Sequence, residues 1–193
     1  MLDYIKGDII EITPTHVVLE QNSIGYDINI SLYSYSQLQK EVHCKLYLHQ
    51  VIREDAHLLF GFSTLEERRV FRMLISVSGV GASTARMILS SMSSEEVQLA
   101  IAEGNVPMLQ SVKGIGAKSA QRIIVDLKDK VAKSADIAQI FRSGDNTKKK
   151  EALSALEILG FSRKQSEKVM DRLLLKGADM PVEDLIKQAL KLL

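Results

Sequence analysis

The sequence has 193 residues, of which 46% are hydrophobic and 25% are charged, with 25 Lys/Arg against 24 Asp/Glu. This composition excludes a disordered or collagen-like chain, and no uncharged apolar run approaches the ~18 residues that a membrane-spanning helix needs. Cys44, the one cysteine, excludes an internal disulfide and a thiolate zinc cluster. Acidic residues near the start are unlike a secretory signal, so we expect a cytoplasmic protein.

Charge is distributed unevenly along the chain. Residues 1–62 carry four Lys/Arg and eight Asp/Glu, residues 63–133 carry ten and seven, and residues 134–193 carry eleven and nine. All five tyrosines and all four histidines lie in the first of these segments. An acidic segment followed by a basic one indicates separate modules with separate roles.

The first 62 residues alternate between apolar and polar residues, which is typical of half-buried strands. Five short strands predict a small antiparallel barrel of the OB type. Such a barrel binds nucleic acid in some proteins and is purely structural in others, and the pattern alone does not choose between them. The predicted strands are Leu2–Ile12, bent at Gly7, then Val17–Leu19, Tyr26–Ile30, Val42–Leu48 and Leu58–Phe60.

Two adjacent carboxylates, Glu54 and Asp55, fall at the predicted hairpin tip between the last two strands. From residue type alone, the ordinary interpretation is a solvated turn. Any functional interpretation of this pair therefore depends on the rest of the chain.

The middle third contains an internal repeat with an offset of 35 residues. Gly79–Ala85 (GVGASTA) aligns with Gly114–Ala120 (GIGAKSA), and each copy stands between two apolar stretches. Apolar residues spaced three and four apart on both sides predict helices. We therefore expect two packed units, each consisting of a helix, a tight glycine turn and a second helix. Two Ser/Glu pairs match the spacing of a capping box at helix starts, Ser63 with Glu66 and Ser93 with Glu96.

Each glycine turn places the start of a helix where an anion can bind. Glycine tolerates positive φ and removes side-chain bulk, and the first N–H groups of the following helix lack intrahelical partners. The helix dipole adds positive potential, so phosphate oxygens can bind these amides. A turn that binds nothing is the alternative, but two copies on a basic module favour phosphate binding. Arg86 would add charge beside the first turn. The candidate phosphate-binding residues are Gly79, Gly81, Ala82, Ser83, Gly114, Gly116, Ala117, Lys118 and Arg122.

Two other phosphate-binding motifs do not fit the spacing of the repeats. The segment GIGAKS ends in Lys-Ser, but a P-loop needs a glycine directly before the lysine and four residues between its glycines. Neither repeat supplies the third glycine of the dinucleotide fingerprint, because Thr84 and Ser119 stand there. We therefore expect no nucleotide-binding ATPase, no cofactor and no metal site.

The last third begins with a polar connector and continues with three predicted helices. Residues 143–150 predict a linker, in which Lys148–Lys150 either touch DNA or, more commonly for such a run, form a solvated face. Apolar periodicity predicts helices at Glu151–Leu159, around Val169–Leu174 and after Pro181. So short a segment makes a small core with little apolar surface to spare.

The order of these motifs resembles the RuvA family of Holliday junction branch-migration subunits. The resemblance is carried by Val51–Phe62 (VIREDAHLLFGF) followed by the two glycine turns, and it covers essentially the whole chain. It implies an α+β multidomain fold: an N-terminal five-stranded OB-like barrel, a helical domain with tandem helix-hairpin-helix motifs and a small C-terminal three-helix domain. The implied boundaries are 1–62 for the barrel domain, 63–142 for the helix-hairpin-helix domain, 143–150 for a flexible linker and 151–193 for the three-helix domain.

The resemblance also implies a function. Proteins of this family bind four-way DNA junctions as a homotetramer, or as two tetramers face to face, and contact phosphates through the hairpin amides. They have no ATPase of their own and recruit the hexameric motor RuvB for branch migration in recombination and repair, and the RuvC junction resolvase is a further implied partner. Glu54 and Asp55 would form an acidic pin at the junction centre, and Leu156, Leu159 and Phe161 align with positions that contact the motor.

One residue departs from the pattern of many relatives, which carry a lysine near the first hairpin at the position of Ser83. In this chain the cation occurs only in the second copy of the repeat, as Lys118. We therefore expect the first hairpin to rely on its backbone amides.

Two other function classes remain open from the residues themselves. A helix-hairpin-helix enzyme, such as a nuclease or glycosylase, would need clustered acids, metal ligands or an activated nucleophile near the hairpins. The acids of the middle domain mostly stand at helix starts or on charged faces, and this domain has no histidine or cysteine. A general duplex-binding protein, the second class, would bind junctions and linear duplex equally well.

Overall fold

The computed structural model describes residues 2–142, 147–175 and 181–193, and the chain divides into two units, residues 1–132 and 133–193. The first unit begins with five strands, and their alternating apolar residues face one another across a barrel. The strands are β1 (Tyr4–Ile12), β2 (His16–Gln21), β3 (Ile24–Ile30), β4 (His43–Ile52) and β5 (His57–Phe62).

These strands close into a barrel in the order β1-β2-β3-β5-β4, which confirms the predicted five-stranded OB-like architecture. The prediction that all strands are antiparallel was wrong for one pair, because β3 and β5 run parallel, with Ile28 opposite Leu59. Strand directions cannot alternate throughout a closed ring with an odd number of strands. Inward-facing side chains that are at most 1% exposed fill the barrel: Val17, Leu19, Ile28, Ile30, Leu46 and Leu48.

Gly7 lies where β1 passes very close to β2. A Cβ at this position would be 2.3 Å from the carbonyl oxygen of Glu20, so a larger residue would force the two strands apart. The shift in register between these strands lies between Ile9 and Glu11, and not at the glycine where the sequence predicts the bend. Gly7 therefore permits close approach, and a bulge further along changes the pairing.

A short helix that the sequence analysis does not predict, α1 (Leu32–Leu38), connects β3 to β4. The hydroxyl of Ser31 caps it by accepting a hydrogen bond from the N–H of Ser34 at 3.0 Å. Its seven-residue segment LYSYSQL is too short to show a repeated helical period, so the cap residue is the main local signal. Tertiary packing fixes this helix, because Leu38 is 4% exposed and belongs to the barrel core.

The barrel and the helices that follow it share a hydrophobic core within the first unit. The ring of Phe71 lies 5.2 Å from that of Phe60 and 4.8 Å from that of Phe62, both on β5. The predicted capping box of Ser93 and Glu96 is confirmed. The helices are α2 (Leu65–Ile75), α3 (Ala82–Ser91), α4 (Ser94–Glu103), α5 (Val106–Gln110) and α6 (Ala117–Arg142).

Glu67 is a buried carboxylate that attaches α2 to the barrel. The hydroxyl groups of Ser31 and Ser34 donate to its two oxygens, the second at 2.7 Å, and Ser63 donates at 3.4 Å. Ser63 was wrongly predicted to cap α2, because Thr64 performs this role and its hydroxyl accepts from the N–H of Glu67 at 3.1 Å. Burial raises the pKa of Glu67.

Two arginines fix the helices against the barrel. Arg68 donates from Nη1 to the carbonyl oxygen and to the carboxylate of Asp3, both at 2.7 Å. Arg86 donates from Nη1 to the carbonyl oxygen of Thr15 at 2.8 Å and to Oδ1 of Asn29 at 3.0 Å. The expectation that Arg86 adds charge beside the first glycine turn is therefore corrected, since its guanidinium binds the barrel.

The second unit contains the predicted three helices, α7 (Thr147–Ile158), α8 (Arg163–Leu175) and α9 (Val182–Leu190). Helix α7 begins before the predicted Glu151, and lysine at 148–150 suits a helix because its straight side chain has a high helix propensity. Residues 143–146 of the predicted linker lie outside the described residues. The side chains that form the core of this unit include Ala152, Leu156, Met170, Leu173 and Leu185.

Candidate nucleic-acid interface

Two turns of matching geometry connect α2 to α3 and α5 to α6. Gly79 and Gly114 both have a φ of +89°, a conformation that L side chains rarely adopt. The next N–H in each turn, that of Val80 or Ile115, donates to the carbonyl oxygen three residues earlier at 3.0 Å. The predicted repeat is thus present as two helix-hairpin-helix turns.

Packing and exposure alternate along each turn. Val80 and Ile115 are each 6% exposed and anchor the turns in the core, whereas Gly81 and Gly116 are exposed. Among the described residues, no atom lies within 4 Å of a Cβ built on either of these two glycines. The space beside each helix start is therefore open, and the first amides of α3 and α6 have no intrahelical partners, an arrangement that suits phosphate oxygens.

The two helix starts differ in their side chains. At the first, Ala82 is buried and Ser83 is exposed; at the second, Ala117 and Lys118 are both exposed. Within the described ranges, the ammonium group of Lys118 makes no hydrogen bond or ion pair. The second turn thus presents amides beside an available cation, and the first presents amides beside a hydroxyl.

Arg122 links the two turns. Its Nη1 donates to the carbonyl oxygen of Ser78 at 3.1 Å and lies 3.8 Å from the position that a Cβ on Gly79 would occupy. The sequence predicts this arginine beside the second turn, where its backbone is, but its guanidinium reaches the first. Its charge therefore lies next to the turn that lacks a lysine.

The hairpin between β4 and β5 has its two carboxylates at the tip. The N–H of Arg53 donates to the carbonyl oxygen of Ala56 at 2.8 Å, so Glu54 and Asp55 are the two central residues of the turn. Both are exposed, and neither forms an ion pair with any residue that the structure describes. Ile52, at the end of β4, is 65% exposed beside them.

The three residues that the resemblance assigns to motor contact differ in exposure. Leu156 is 0% exposed in the core of the second unit, whereas Leu159 is 57% exposed and Phe161 is half-buried. Ile158, which the sequence analysis does not name, is 84% exposed at the end of α7. Its position out of phase with the apolar face of α7 is a signal that could have identified it.

The basic run at the start of α7 is partly structural. The ammonium group of Lys149 forms an ion pair with the carboxylate of Asp171 on α8. The side chains of Lys148 and Lys150 lie outside the described residues, so contact of the run with DNA stays a prediction.

The described parts of the chain lack two kinds of feature. No helix there is long and apolar enough to cross a membrane. No group of three or more His, Cys, Asp or Glu side chains there is arranged to hold a metal ion.

Three family models match the chain in the order of its modules. Residues 1–61 match the RuvA N terminal domain, residues 71–129 match a SAM-like helix-hairpin-helix tandem, and residues 148–193 match the RuvA C-terminal domain. The middle match contains both glycine turns, and the first contains the carboxylates at the barrel hairpin.

Curated relatives match over their full lengths, and each is described as a Holliday junction branch migration complex subunit RuvA. The relative from Christiangramia forsetii is 53% identical over 191 residues, and that from Flavobacterium psychrophilum is 49% identical over 191 residues, with 99% of each chain covered. The relative from Porphyromonas gingivalis is 46% identical over 202 residues, with 100% of each chain covered. Identity at this level over the whole length, together with the barrel and paired hairpins, shows that the chain belongs to the RuvA family of Holliday junction branch migration complex subunits.

Proposed function

We propose that this protein binds four-way DNA junctions as a homotetramer, holds them open and recruits the hexameric RuvB ATPase for branch migration. The observation that carries the proposal is the pair of matching hairpin turns with exposed amides. Two such turns on one rigid core offer two phosphate sites per subunit. The membership in the RuvA family supplies the junction as the expected substrate.

In this proposal the DNA contacts are Gly79, Gly81, Ala82 and Ser83 at the first turn and Gly114, Gly116, Ala117 and Lys118 at the second. The backbone amides donate hydrogen bonds to phosphate oxygens, and Lys118 adds a charge-assisted contact. Arg122 contributes positive potential at the first turn while it holds the Ser78 carbonyl oxygen. Contacts of this kind position the protein on DNA but do not depend on the base sequence. A protein that must move along DNA requires this independence.

Glu54 and Asp55 form the acidic pin of the proposed complex. In a tetramer, four such hairpin tips would meet at the junction centre and place eight carboxylates near the crossing strands. Their charges would repel phosphates and favour separated strands. Their exposure and lack of ion pairs in the described chain support this role, because a neutralised pair would repel little.

The C-terminal unit carries the motor contact in this proposal. Leu159 and Ile158 present apolar surface at the end of α7, and Phe161 lies beside them in sequence. Leu156 supports this surface from the core rather than touching the partner. We further propose that the chain itself is not an enzyme: its part is to present the junction to an ATP-driven motor, and the RuvC resolvase would act on the same junction.

The first test compares the affinity for a four-way junction with that for linear duplex of the same arm sequence at fixed salt. A strong preference for the junction, without cleavage of labelled strands, is expected. Equal affinity would reduce the function to general duplex binding, and metal-dependent cleavage would favour the helix-hairpin-helix enzyme. Stimulation of RuvB on the same junction then tests the partner.

A further inference from the structure

A basic groove with a cavity of about 540 Å³ lies between α2 and α6 in the first unit. It is separate from the exposed amides of the two glycine turns. We name it the α2–α6 groove. Its lining includes four basic side chains and two apolar ones: Arg68, Arg69, Arg72 and Lys130, with Leu65 and Met73.

Carboxylates compensate the charge of the groove only in part. Arg68, whose side chain is 9% exposed, is paired with Asp3 at 2.7 Å and serves to hold α2 on the barrel. Glu66 lies 3.6 Å from the guanidinium of Arg69 and also accepts from Gln98 at 2.9 Å. Four cations thus face two carboxylates, which leaves an excess of positive charge in the groove.

The remaining two cations have neutral partners. Arg72 donates to a backbone carbonyl oxygen of β4 at 3.3 Å, and Lys130 donates to the hydroxyl of Ser76 at 3.2 Å. Neither forms an ion pair within the parts of the chain that the structure describes. Burial, and secondarily the charge of Arg68, lower the pKa of Arg72 against the opposing effect of Asp3. Burial, and secondarily the charges of Arg72 and Arg68, lower the pKa of His49.

The α2–α6 groove adjoins the segment that leads into the first hairpin. Ser76, which lines the groove, is the C-cap of α2 and stands three residues before Gly79. The first turn carries Ser83 where the second carries Lys118. The groove therefore offers positive charge along the helix that leads into the first turn. Lys118 offers positive charge of this kind at the second turn.

We propose that the α2–α6 groove binds a backbone phosphate of the DNA arm held by the first hairpin, with Arg69 and Lys130 as the contacting cations. Both side chains are accessible, since that of Arg69 is 40% exposed and Lys130 is exposed. Guanidinium and ammonium groups are the usual phosphate partners. The inference rests on the proposed function, because it requires DNA at the hairpins.

The test replaces both contacting cations in the full chain, as Arg69→Gln with Lys130→Gln, and measures the salt dependence of junction and duplex affinity. The matched control, Lys40→Gln with Lys168→Gln, removes the same charge from two exposed positions that do not line the groove. Loss of the one phosphate contact in the groove lowers the slope of log affinity against log salt by about 0.9 for each bound subunit. One decade below 1 M salt, this corresponds to roughly 8-fold weaker binding per bound subunit.

The expected result is a lower slope for the groove variant, a wild-type slope for the control, and a wild-type slope for the charge-preserving Arg69→Lys with Lys130→Arg. An unchanged slope in the groove variant would overturn the proposal. Sedimentation of each variant without DNA tests whether the groove is instead a contact between copies of the chain. Lost self-association in the groove variant would show such a contact and would overturn the DNA assignment.

A titration with inorganic phosphate at constant ionic strength distinguishes the source of the phosphate. A rise in melting temperature that needs the groove cations, combined with an unchanged DNA slope, would assign the groove to free phosphate and overturn the DNA occupant. Failure of the wild-type protein to bind any DNA would instead refute the proposed function, and this inference with it.

Discussion

Replacing Gly116 with valine should block the approach of a phosphate to the second turn without unfolding the protein. The φ of Gly116 lies outside the positive range, and no described atom lies within 4 Å of a Cβ at this position. Valine there loses only the preference of a helix start for glycine over an apolar residue, about 1 kcal/mol or less. A typical domain is stable by roughly 5–15 kcal/mol, so Gly116→Val should remain folded.

The same substitution should weaken DNA binding strongly. The added methyl groups would stand in the open space before the amides of α6, where a phosphate has to approach. A hydrogen bond to a charged group contributes about 1.5–3 kcal/mol, so loss of one such contact weakens binding roughly 10- to 150-fold. Because the contact is to the backbone of DNA, junction and duplex should lose affinity alike.

Fluorescence anisotropy with a labelled junction and a labelled duplex at fixed salt measures this loss, and thermal unfolding measures stability. Gly114→Val is the matched control, because a side chain at φ +89° is strained by about 1–3 kcal/mol and should lower the melting temperature. Wild-type affinity in a folded Gly116→Val protein would refute the role of the hairpin amides. Unfolding of the Gly116→Val protein would contradict the conclusion that the space around Gly116 is open.

Three further predictions follow from the hairpin tip, the C-terminal unit and the buried carboxylate. Glu54→Gln with Asp55→Asn should keep or strengthen junction affinity while changing the rate of branch migration with RuvB, whereas lost binding would assign the pair to assembly. Leu159→Ser should change the free energy of unfolding by less than about 0.5 kcal/mol and should reduce RuvB stimulation. Leu156→Ser, in the core, should lower the free energy of unfolding by about 2–5 kcal/mol. Equal effects of the two variants on stability would contradict the assignment of Leu159 to the surface and Leu156 to the core. Because the pKa of Glu67 is raised above 4.5 in the folded state, the folded protein binds more protons above that pH, and its free energy of unfolding should fall as pH rises towards the folded pKa. Urea titrations should show a flatter pH dependence for Glu67→Gln, and an identical profile would contradict the buried ionisation.

Periodic features of the sequence were sufficient to predict the barrel and the repeat. Alternating apolar residues identify strands because one face is buried, and paired glycines identify turns because positive φ excludes other residues. Helix α1 has neither signal, since LYSYSQL is fixed by packing of Leu38 against the barrel. The parallel pairing of β3 with β5 follows from closure of the ring, which no local pattern records.

The partners of long side chains were harder to predict than the positions of the backbone. Arg86 and Arg122 were both assigned to the turn nearest in sequence, yet one guanidinium reaches the barrel and the other reaches the opposite turn. A long flexible side chain spans more than one turn of helix, so its sequence neighbours do not determine its partner. The same limit applies to Leu156, whose periodicity fits a core position as well as a surface contact.

In the proposed complex, the cations of the first unit divide into those that hold the protein's own backbone and those that are left for DNA. Arg68, Arg86 and Arg122 direct guanidinium groups at backbone carbonyl oxygens of this chain, so their geometry is fixed before any ligand arrives. Planar, multi-donor guanidinium groups suit this positioning role, whereas the single ammonium group of Lys118 is left for the ligand. Under this proposal, phosphate recognition depends mainly on the hairpin amides and on background potential, and neither depends on base identity. A protein built in this way selects DNA by the positions of its phosphates, so specificity for a junction has to come from the spacing of hairpins in an assembly rather than from any one side chain.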